Sequence, residues 1–361
     1  MAEENRIEKI SEFNSMIFSA CGVYIYGAGI VSYGVSEAVF EVYGREITGY
    51  IVTQKTADTY VGKPLYDIKT LQSISRENLI IVATPVFYHA EIRAILQKNW
   101  GGRFIVLTEM LQYEIMGQYY KKSYGLDLIG DYKIFERSKW EKKSCNIFMA
   151  GSVKDTPLKN RYELSSDIIG VQAGAALSDA AAEMVRDDTG ENISFKNRDY
   201  SELTVTYWAW KNRNADYMGI CHYRRILDMP DNSQGLLDGN IGAILPLPYL
   251  CYGDTSFQYL RYVPADYGHV FTEMLKQTGH SDIIETMNDR IIYSHNMLIA
   301  RNDIFRKYCE WMFPILFEFE ERIGKKDNRY IGYFGEVLTS AFFIINRTKI
   351  NILHAPEKWL V

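Results

Sequence analysis

Hydrophobic residues in the first 107 positions occur in short runs separated by stretches of helical period. The runs are 23–26, 46–52, 79–84 and 103–107, and helical patterns follow the first and the third of them. Short apolar runs of this length indicate buried strands. Since strands that alternate with helices require right-handed crossovers, the pattern predicts a parallel, doubly wound sheet.

The pattern changes after residue 107. The segment 107–143 shows no strand period and is rich in tyrosine and lysine, so we expect a helix followed by a connection. Beyond Ser144 a new α/β pattern begins, and two long helices are predicted near 303–323 and 330–345. The sequence therefore predicts an α/β protein with two domains: a Rossmann-like parallel sheet over 1–143 and a mixed α/β domain over 144–361.

Composition and charge narrow the classes of function. The net charge of −5 argues against a nucleic-acid partner, which requires a basic surface. The five cysteines show no disulfide or metal-ligand spacing, so we expect reduced thiols. The N-terminus is acidic and polar, and no run reaches the roughly 20 apolar residues of a membrane span. We expect a cytoplasmic protein whose membrane contact, if any, is peripheral, at the inner face of the cytoplasmic membrane.

A glycine-rich turn, Gly27-Ala-Gly29, follows the first predicted strand and opens a helix. Backbone amides at such a helix start can bind a phosphate. The third glycine of a dinucleotide fingerprint comes two residues late, at Gly34, and the second strand ends at Thr53-Gln54-Lys55 without an acid for a ribose. Three interpretations stay open: a phosphate-binding turn at Gly27 and Gly29, a redox cofactor site, or glycines that serve close packing alone.

The densest polar cluster of the second half runs from Arg186 to Asn197 and includes Asp187, Asp188 and Asn192. These side chains suit a divalent cation or the hydroxyls of a ribose or hexose, and they also suit a turn. A predicted strand over 217–221 then breaks off at His222-Tyr-Arg-Arg225. Because α/β sheets bind ligands beyond the carboxyl ends of their strands, arginine forks there would suit a diphosphate. A solvated basic turn is the alternative.

Several segments of the second half together resemble a known family. In chain order they are Val171–Ser178, Asp187–Ser194, Glu202–Thr204, Tyr207–Asn212, Asp216–Arg225, Ser294–Ala300, Phe305–Trp311, and Gly332 with Glu336. They resemble a family from bacterial capsule and O-antigen loci that was long described as a domain of unknown function. That family is now treated as GT-A-type glycosyltransferases and includes galactofuranosyltransferases. The resemblance covers roughly residues 146–345.

The resemblance implies a GT-A-like domain that moves galactofuranose or another hexose from a UDP-sugar to a surface-polysaccharide acceptor with inversion. We expect the base to be Glu336, and we expect His222 to act beside the arginines at the diphosphate, as a helper or as a metal ligand. The residues expected to bind the sugar donor are Asp187, Asp188, Asn192, Arg224 and Arg225. The acceptor side is assigned to His295, Asn296, Trp208 and Gly332, where the absent side chain of Gly332 would leave room for a sugar and Trp208 would form a wall or belong to the core.

The chain departs from the family pattern in three places. It ends its first strand with Gly151-Ser-Val-Lys154 in place of a His-Lys pair, and it has Tyr262 near the usual position of a histidine. His222 to Arg225 stand where GT-A enzymes commonly place the metal-binding Asp-x-Asp. Dependence on Mn²⁺ or Mg²⁺ is therefore left open, and no other cofactor is expected.

The expected partners are a nucleotide-sugar donor and a glycan or lipid-linked glycan acceptor, and the sequence leaves a homo-oligomer open. Two other functions compete with the transferase. The missing Asp-x-Asp favours a non-catalytic nucleotide-sugar-binding protein with a degenerate transferase domain. The turn at Gly27 alone supports an NAD-dependent sugar-modifying enzyme.

Overall fold

The computed structural model describes residues 9–132, 143–160, 162–178, 184–230, 237, 240–255 and 262–360. The chain divides into two compact units, Met1–Leu126 with Tyr249–Tyr252 and Asp127–Pro248 with Gly253–Val361. Helices and largely parallel strands build both units, which confirms the predicted α/β class. No helix in the described part of the chain is both long and apolar enough to cross a membrane.

The first unit contains a six-stranded sheet of order β3-β4-β2-β1-β5-β6, in which every neighbouring pair except β3 and β4 is parallel. Its strands are β1 (Val23–Tyr26), β2 (Gly49–Val52), β3 (Thr59–Tyr60), β4 (Lys63–Asp67), β5 (Leu79–Val82) and β6 (Arg103–Val106); the short strand β14 (Tyr249–Leu250) also belongs to this unit. Its helices are α1 (Ile10–Ser19), α2 (Ile30–Tyr43), α3 (His89–Asn99) and α4 (Glu109–Tyr124). The parallel sheet and the four strands predicted from apolar runs are confirmed.

The glycine turn after β1 is explained in part by packing. Gly27 has a φ of 123°, and a Cβ at this position would lie 2.6 Å from Ser32 Oγ and 2.9 Å from the carbonyl oxygen of Ala83. Only glycine fits so close to the end of β5. Gly29 precedes α2, and a Cβ there would meet no atom of the described chain within 4 Å. Close packing therefore accounts for Gly27, whereas a phosphate-binding role for the turn stays a prediction.

The second unit contains a ten-stranded mixed sheet of order β10-β9-β8-β11-β16-β13-β17-β7, with β12 pairing β11 and β18. Its strands are β7 (Asp127–Leu128), β8 (Cys145–Gly151), β9 (Ile168–Gln172), β10 (Val185–Arg186), β11 (Tyr217–His222), β12 (Arg225–Leu227), β13 (Ala243–Pro246), β16 (Leu298–Arg301), β17 (Ile352–Ala355) and β18 (Glu357–Trp359); β15 (Ile291–Ile292) lies outside this sheet. Strands β10, β9, β8 and β11 are parallel, so their carboxyl ends share one edge.

The helices of the second unit cover this sheet. They are α5 (Asn197–Tyr200), α6 (Leu203–Asn212), α7 (Ala265–Gln277), α8 (Ser281–Met287), α9 (Asn302–Ile323) and α10 (Tyr330–Ile345). The two long helices predicted near the end of the sequence are confirmed as α9 and α10. On α9, Phe305, Cys309, Met312 and Leu316 are fully buried, as their helical spacing indicates.

The structure divides the chain at Leu126, whereas the sequence placed the boundary near Ser144. Of the predicted connecting segment, Glu109–Tyr124 forms α4, and residues 133–142 lie outside the described residues. Strand β7 joins the second unit because its residues Asp127 and Leu128 pair with Leu353 and His354 of β17. A two-residue strand leaves no apolar run in the sequence, so hydrophobic period could not locate this division.

Candidate functional site

Asp187 lies directly after β10 and is fully buried. Its carboxylate accepts hydrogen bonds from the backbone N–H groups of Gly174 and Ala175, both at 2.9 Å. It also accepts from the hydroxyls of Ser194, at 2.5 Å, and Thr204, at 2.8 Å. Each carboxylate oxygen thus receives two donors, which compensate the buried charge within the protein. The prediction that Asp187 binds the sugar donor is corrected, since this side chain ties the turn after β9 to α6.

Asp188 and Asn192 lie on the same stretch of chain but are only half-buried. Two hydrogen bonds from Arg186, at 2.6 and 3.0 Å, hold the pKa of Asp188 below its ordinary value. Asn192 accepts from the N–H of Ser194 and donates to the carbonyl of Gly190, which is the pattern of a local turn. Both side chains keep part of their surface exposed, and their role in sugar-donor binding stays a prediction.

Two residues assigned to the acceptor side, Trp208 and Gly332, have close neighbours within the second unit. Trp208 is 1% exposed and its ring meets Phe148 edge-on at 5.7 Å, so the core alternative is correct. A Cβ on Gly332 would lie 3.4 Å from Ser201 Oγ. This is an ordinary van der Waals distance, so the expectation that Gly332 leaves room for a sugar stays a prediction. The carbonyl of Gly332 accepts a hydrogen bond from Asn296 at 3.1 Å.

Half-buried ionisable side chains converge where β11 ends. We call this group the carboxylate pocket; it comprises Glu202, His222, Arg225, His295, Glu336 and Glu357. These side chains come from the start of α6, the end of β11, the start of β12, the turn before β16, the helix α10 and the strand β18. Four of the residues predicted for catalysis and binding are thereby brought together by the fold.

The turn between β15 and β16 positions one side of the pocket. His295 and Asn296 have φ angles of 70° and 50°, a left-handed backbone that is uncommon for residues with a side chain. The buried amide of Asn296 holds this turn. Its Nδ2 donates to Glu202 Oε1 at 2.6 Å and to the carbonyl of Gly332, and its Oδ1 accepts from Thr339 Oγ1 at 3.0 Å. Two elements, the start of α6 and the helix α10, thus fix the strained backbone.

His222 and Glu357 flank His295. The Nε2 of His222 donates to the backbone carbonyl of His295 at 2.6 Å, and Glu357 Oε1 lies 3.3 Å from His295 Nδ1. Burial lowers the pKa of His222, and the charge of Glu202, which acts in the opposite direction, offsets only part of that effect. Burial alone would raise the pKa of Glu357, but His295, Arg225 and His222 outweigh it and hold that pKa below its ordinary value.

Glu336 has the most perturbed carboxyl of the pocket. Burial raises its pKa to about 7, and the nearby Glu202 adds to the rise. The charge of His295, the backbone N–H that His295 donates to Glu336, and Arg225 act in the opposite direction. Near neutral pH this carboxyl therefore exchanges between its protonated and ionised forms. That property suits a general base or acid.

The two arginines predicted to bind a diphosphate have different neighbours. The guanidinium carbon of Arg225 lies 3.9 Å from the ring centre of Trp359. Its Nε is buried and has no hydrogen-bond partner among the described residues. A buried donor without a partner on a cation points to an anionic ligand. Arg224 instead interacts electrostatically with Asp155, as does Arg329.

Sequence reasoning missed four residues around this site: Asp155, Arg329, Glu357 and Trp359. Asp155 accepts a hydrogen bond from the N–H of Ser152 at 2.6 Å. Burial raises the pKa of Asp155 in spite of this hydrogen bond and of Arg224 and Arg329. The spacing from Ser152 to Asp155, just after a predicted strand, was a usable turn signal. Glu357 and Trp359 lie in a three-residue strand, and no motif in the sequence indicates them.

Dependence on a divalent metal ion, which the sequence left open, stays open. Within the described ranges, no group of three or more His, Cys, Asp or Glu side chains is arranged to hold a metal ion. The structure therefore names no ligands for Mn²⁺ or Mg²⁺.

Comparison with known proteins supplies a family. Residues 159–347 match the model described as "Domain of unknown function (DUF4422)". The apo structure of the bifunctional glycosyltransferase WbbM is similar over 60% of this chain, with 25% sequence identity and a TM-score of 0.49, and the chain spans 45% of that protein's length. No curated protein matches the chain. Because the family match covers more than half of the 361 residues, the protein belongs to the DUF4422 family.

Proposed function

We propose that the protein is a glycosyltransferase that moves a hexose, such as galactofuranose, from a UDP-sugar to the glycan acceptor of a capsule, O-antigen or exopolysaccharide. The observation that carries the proposal is the carboxylate pocket. It combines a carboxyl of pKa about 7, on Glu336, with an arginine whose buried Nε lacks a partner within the described chain. Inverting transfer needs a base for the acceptor hydroxyl and a cation for the departing diphosphate. The motif resemblance described above points to the same chemistry.

Glu336 acts as the base in this proposal. Its ionised carboxylate takes the proton of the acceptor hydroxyl while the hydroxyl oxygen attacks the anomeric carbon of the sugar. The bond from that carbon to the diphosphate oxygen breaks on the opposite face, and its electron pair leaves with UDP. The proton remains on Glu336, and a pKa near 7 allows its release to water after the product departs.

Arg225 and Arg224 stabilise the charge that grows on the diphosphate. Stacking on Trp359 fixes the plane of the Arg225 guanidinium, so its hydrogen bonds to phosphate oxygens cost little reorganisation. Arg224 contributes from beside Asp155, where Arg329 adds a second cation. His222 supports the pocket by anchoring the backbone of His295, and Asp188 and Asn192 are the proposed ligands of the ribose or the sugar.

Thermal unfolding in the presence of nucleotides tests the proposal. UDP should raise the unfolding temperature and NAD should not; at 100 times its dissociation constant a ligand adds about 2.7 kcal/mol. A panel of UDP-hexoses that includes UDP-galactofuranose, with and without Mn²⁺ or Mg²⁺, should then show release of UDP. Binding without turnover on the whole panel would support the non-catalytic alternative. No thermal shift with UDP or any UDP-sugar would remove the sugar-donor assignment.

A further inference from the structure

An exposed aromatic pair adjoins the carboxylate pocket. Tyr262 is 55% exposed, and its ring stacks on that of Tyr333 with centroids 5.1 Å apart and planes 14° apart. Tyr333 lies on α10 one turn before Glu336, and the two side chains interact electrostatically. Residues three apart on a helix lie on the same face. The pair therefore presents its rings on the face of α10 that carries the proposed base.

The geometry of this pair differs from that of another exposed tyrosine. Tyr252 is exposed to a similar extent, 51%, but it meets Tyr33 edge-on with an interplanar angle of 79°. Edge-on and offset-stacked contacts are both usual between aromatic rings in proteins, but only the stacked contact leaves the two rings parallel. The near-parallel stack of Tyr262 on Tyr333 instead forms a flat platform. Platforms of this shape accept a second flat group, either a nucleobase or the C–H face of a sugar ring.

We propose that Tyr262 and Tyr333 form the acceptor subsite, on which a hexose ring of the acceptor glycan stacks through its C–H bonds. These bonds carry partial positive charge, which the negative face of an aromatic ring attracts. A ring seated in this way keeps its hydroxyls at its rim, where one of them can reach Glu336. The inference rests on the proposed function, because that function makes Glu336 the group that contacts the acceptor.

The uracil of the sugar donor is the competing occupant of the platform. The acceptor is favoured because Tyr333 shares a helical face with Glu336, which the proposed function makes the base. The base must contact the acceptor hydroxyl, and a uracil on Tyr262 would occupy the approach to that base.

Saturation-transfer NMR on the full chain, with UDP present, tests the subsite. The probes are methyl β-D-galactopyranoside, methyl β-D-glucopyranoside and methyl α-D-mannopyranoside, each of which contains one hexose ring and no nucleotide. The ring C–H protons of at least one probe should receive saturation from the wild type. Tyr262→Ala should raise the dissociation constant of that probe by about three- to tenfold, the range expected for one aromatic contact.

Two further variants separate stacking from misfolding. Tyr262→Phe retains the ring and should bind the hexoside as the wild type does. The matched control is Tyr252→Ala, which removes an equally exposed tyrosine in the first unit and should leave hexoside binding unchanged. The dissociation constant for UDP should be the same in the wild type and in Tyr262→Ala.

Each contrary result has its own meaning. Equal hexoside affinity in the wild type and Tyr262→Ala would overturn the subsite, as would a wild type that binds UDP but none of the three hexosides. Loss of UDP affinity in Tyr262→Ala would assign the platform to the uracil and overturn the inference. A wild type that fails to bind UDP would refute the proposed function, and Tyr262-dependent hexoside binding would then still support a sugar site.

Discussion

Asp187 and Glu336 are both carboxylates withdrawn from water within the second unit, but they differ in the number of hydrogen-bond donors around them. Asp187 accepts from two backbone N–H groups and two hydroxyls. Glu336 accepts from one backbone N–H, that of His295, and it faces a second carboxylate, Glu202. Its pKa consequently rises to about 7, against an ordinary value of 4.5.

The difference teaches that burial alone does not identify a reactive acid. A carboxylate whose four lone-pair positions all accept hydrogen bonds from the protein holds chain segments together. A ligand could bind it only by displacing those hydrogen-bond donors. A carboxylate with few donors and a like charge nearby retains a proton at neutral pH, which is the condition for proton transfer. The number of hydrogen-bond donors around each carboxylate, rather than its position in a motif, separates the structural acid Asp187 from the proposed catalytic acid Glu336.

The largest effect is expected at Glu336. Glu336→Gln keeps the shape of the side chain and removes the proton acceptor, so transfer should fall by about 10²- to 10⁴-fold. UDP affinity, measured by calorimetry, should not fall with it, because the diphosphate is assigned to the arginines. Unchanged turnover would contradict the assignment of Glu336 as the base.

Asp187 should show the opposite behaviour. Asp187→Ala leaves four buried hydrogen-bond donors without their acceptor, so the free energy of unfolding should fall by about 3 kcal/mol or more. Urea denaturation measures this quantity. The neighbouring variant Asp188→Ala is the control, because it removes only a partly exposed ion pair with Arg186 and should cost less than about 1 kcal/mol. Equal losses in the two variants would refute the structural role of Asp187.

The next effect concerns the arginines that are proposed to bind the diphosphate of UDP. Arg225→Ala removes charge-assisted hydrogen bonds worth about 1.5–3 kcal/mol, so the dissociation constant for UDP should rise by about 10- to 100-fold. Arg224→Ala should weaken UDP as well, and Arg213→Ala, whose guanidinium lies over Trp208 in the core, is the control that should not. If UDP affinity survives both arginine changes, the turn after β11 is a solvated loop.

The smallest effect is a shift in pH dependence. With a pKa of about 7, Glu336 is about one-tenth ionised at pH 6. Glu202→Gln removes the like charge that raises this pKa, while its amide oxygen can still accept from Asn296. The acid limb of the kcat/KM profile should therefore move to lower pH, and the variant should retain a larger fraction of its maximum at pH 6. The control is Glu191→Gln, which changes an exposed carboxylate and should leave the acid limb of the profile unchanged. An acid limb that moves to higher pH in Glu202→Gln would contradict the role of Glu202.

Hydrophobic period was sufficient to predict the parallel sheet of the first unit and helices α9 and α10. The break after the predicted strand 217–221 also marked His222 and Arg225, whereas Glu336 was indicated by the family resemblance and not by hydrophobic period. Hydrophobic period could not assign Asp187 or Trp208, since a polar motif and an aromatic stretch do not reveal which side chains the fold surrounds. Trp208 is one of several buried residues of α6, and its contact with Phe148 shows that it belongs to the core.

The remaining errors have a common physical cause. Glu357 and Trp359 reach the pocket through pairing of β18 with β12, where Arg225 is opposite Trp359. Strand pairing between segments more than a hundred residues apart has no local signature in a sequence. The same applies to the left-handed backbone at His295, which depends on hydrogen bonds that Asn296 makes to distant elements.

The spacing of these hydrogen bonds along the chain implies an order of assembly. The four bonds of Asp187 join residues 7 to 17 positions apart. The bonds that shape the pocket, from His222 to His295, His295 to Glu357 and Asn296 to Glu202, join residues 62 to 94 positions apart. Closing a long loop costs more chain entropy than closing a short one. During refolding, the segment around Asp187 should therefore gain protection from amide exchange before the turn at His295 does, and the chemistry of the pocket becomes available only as folding is completed.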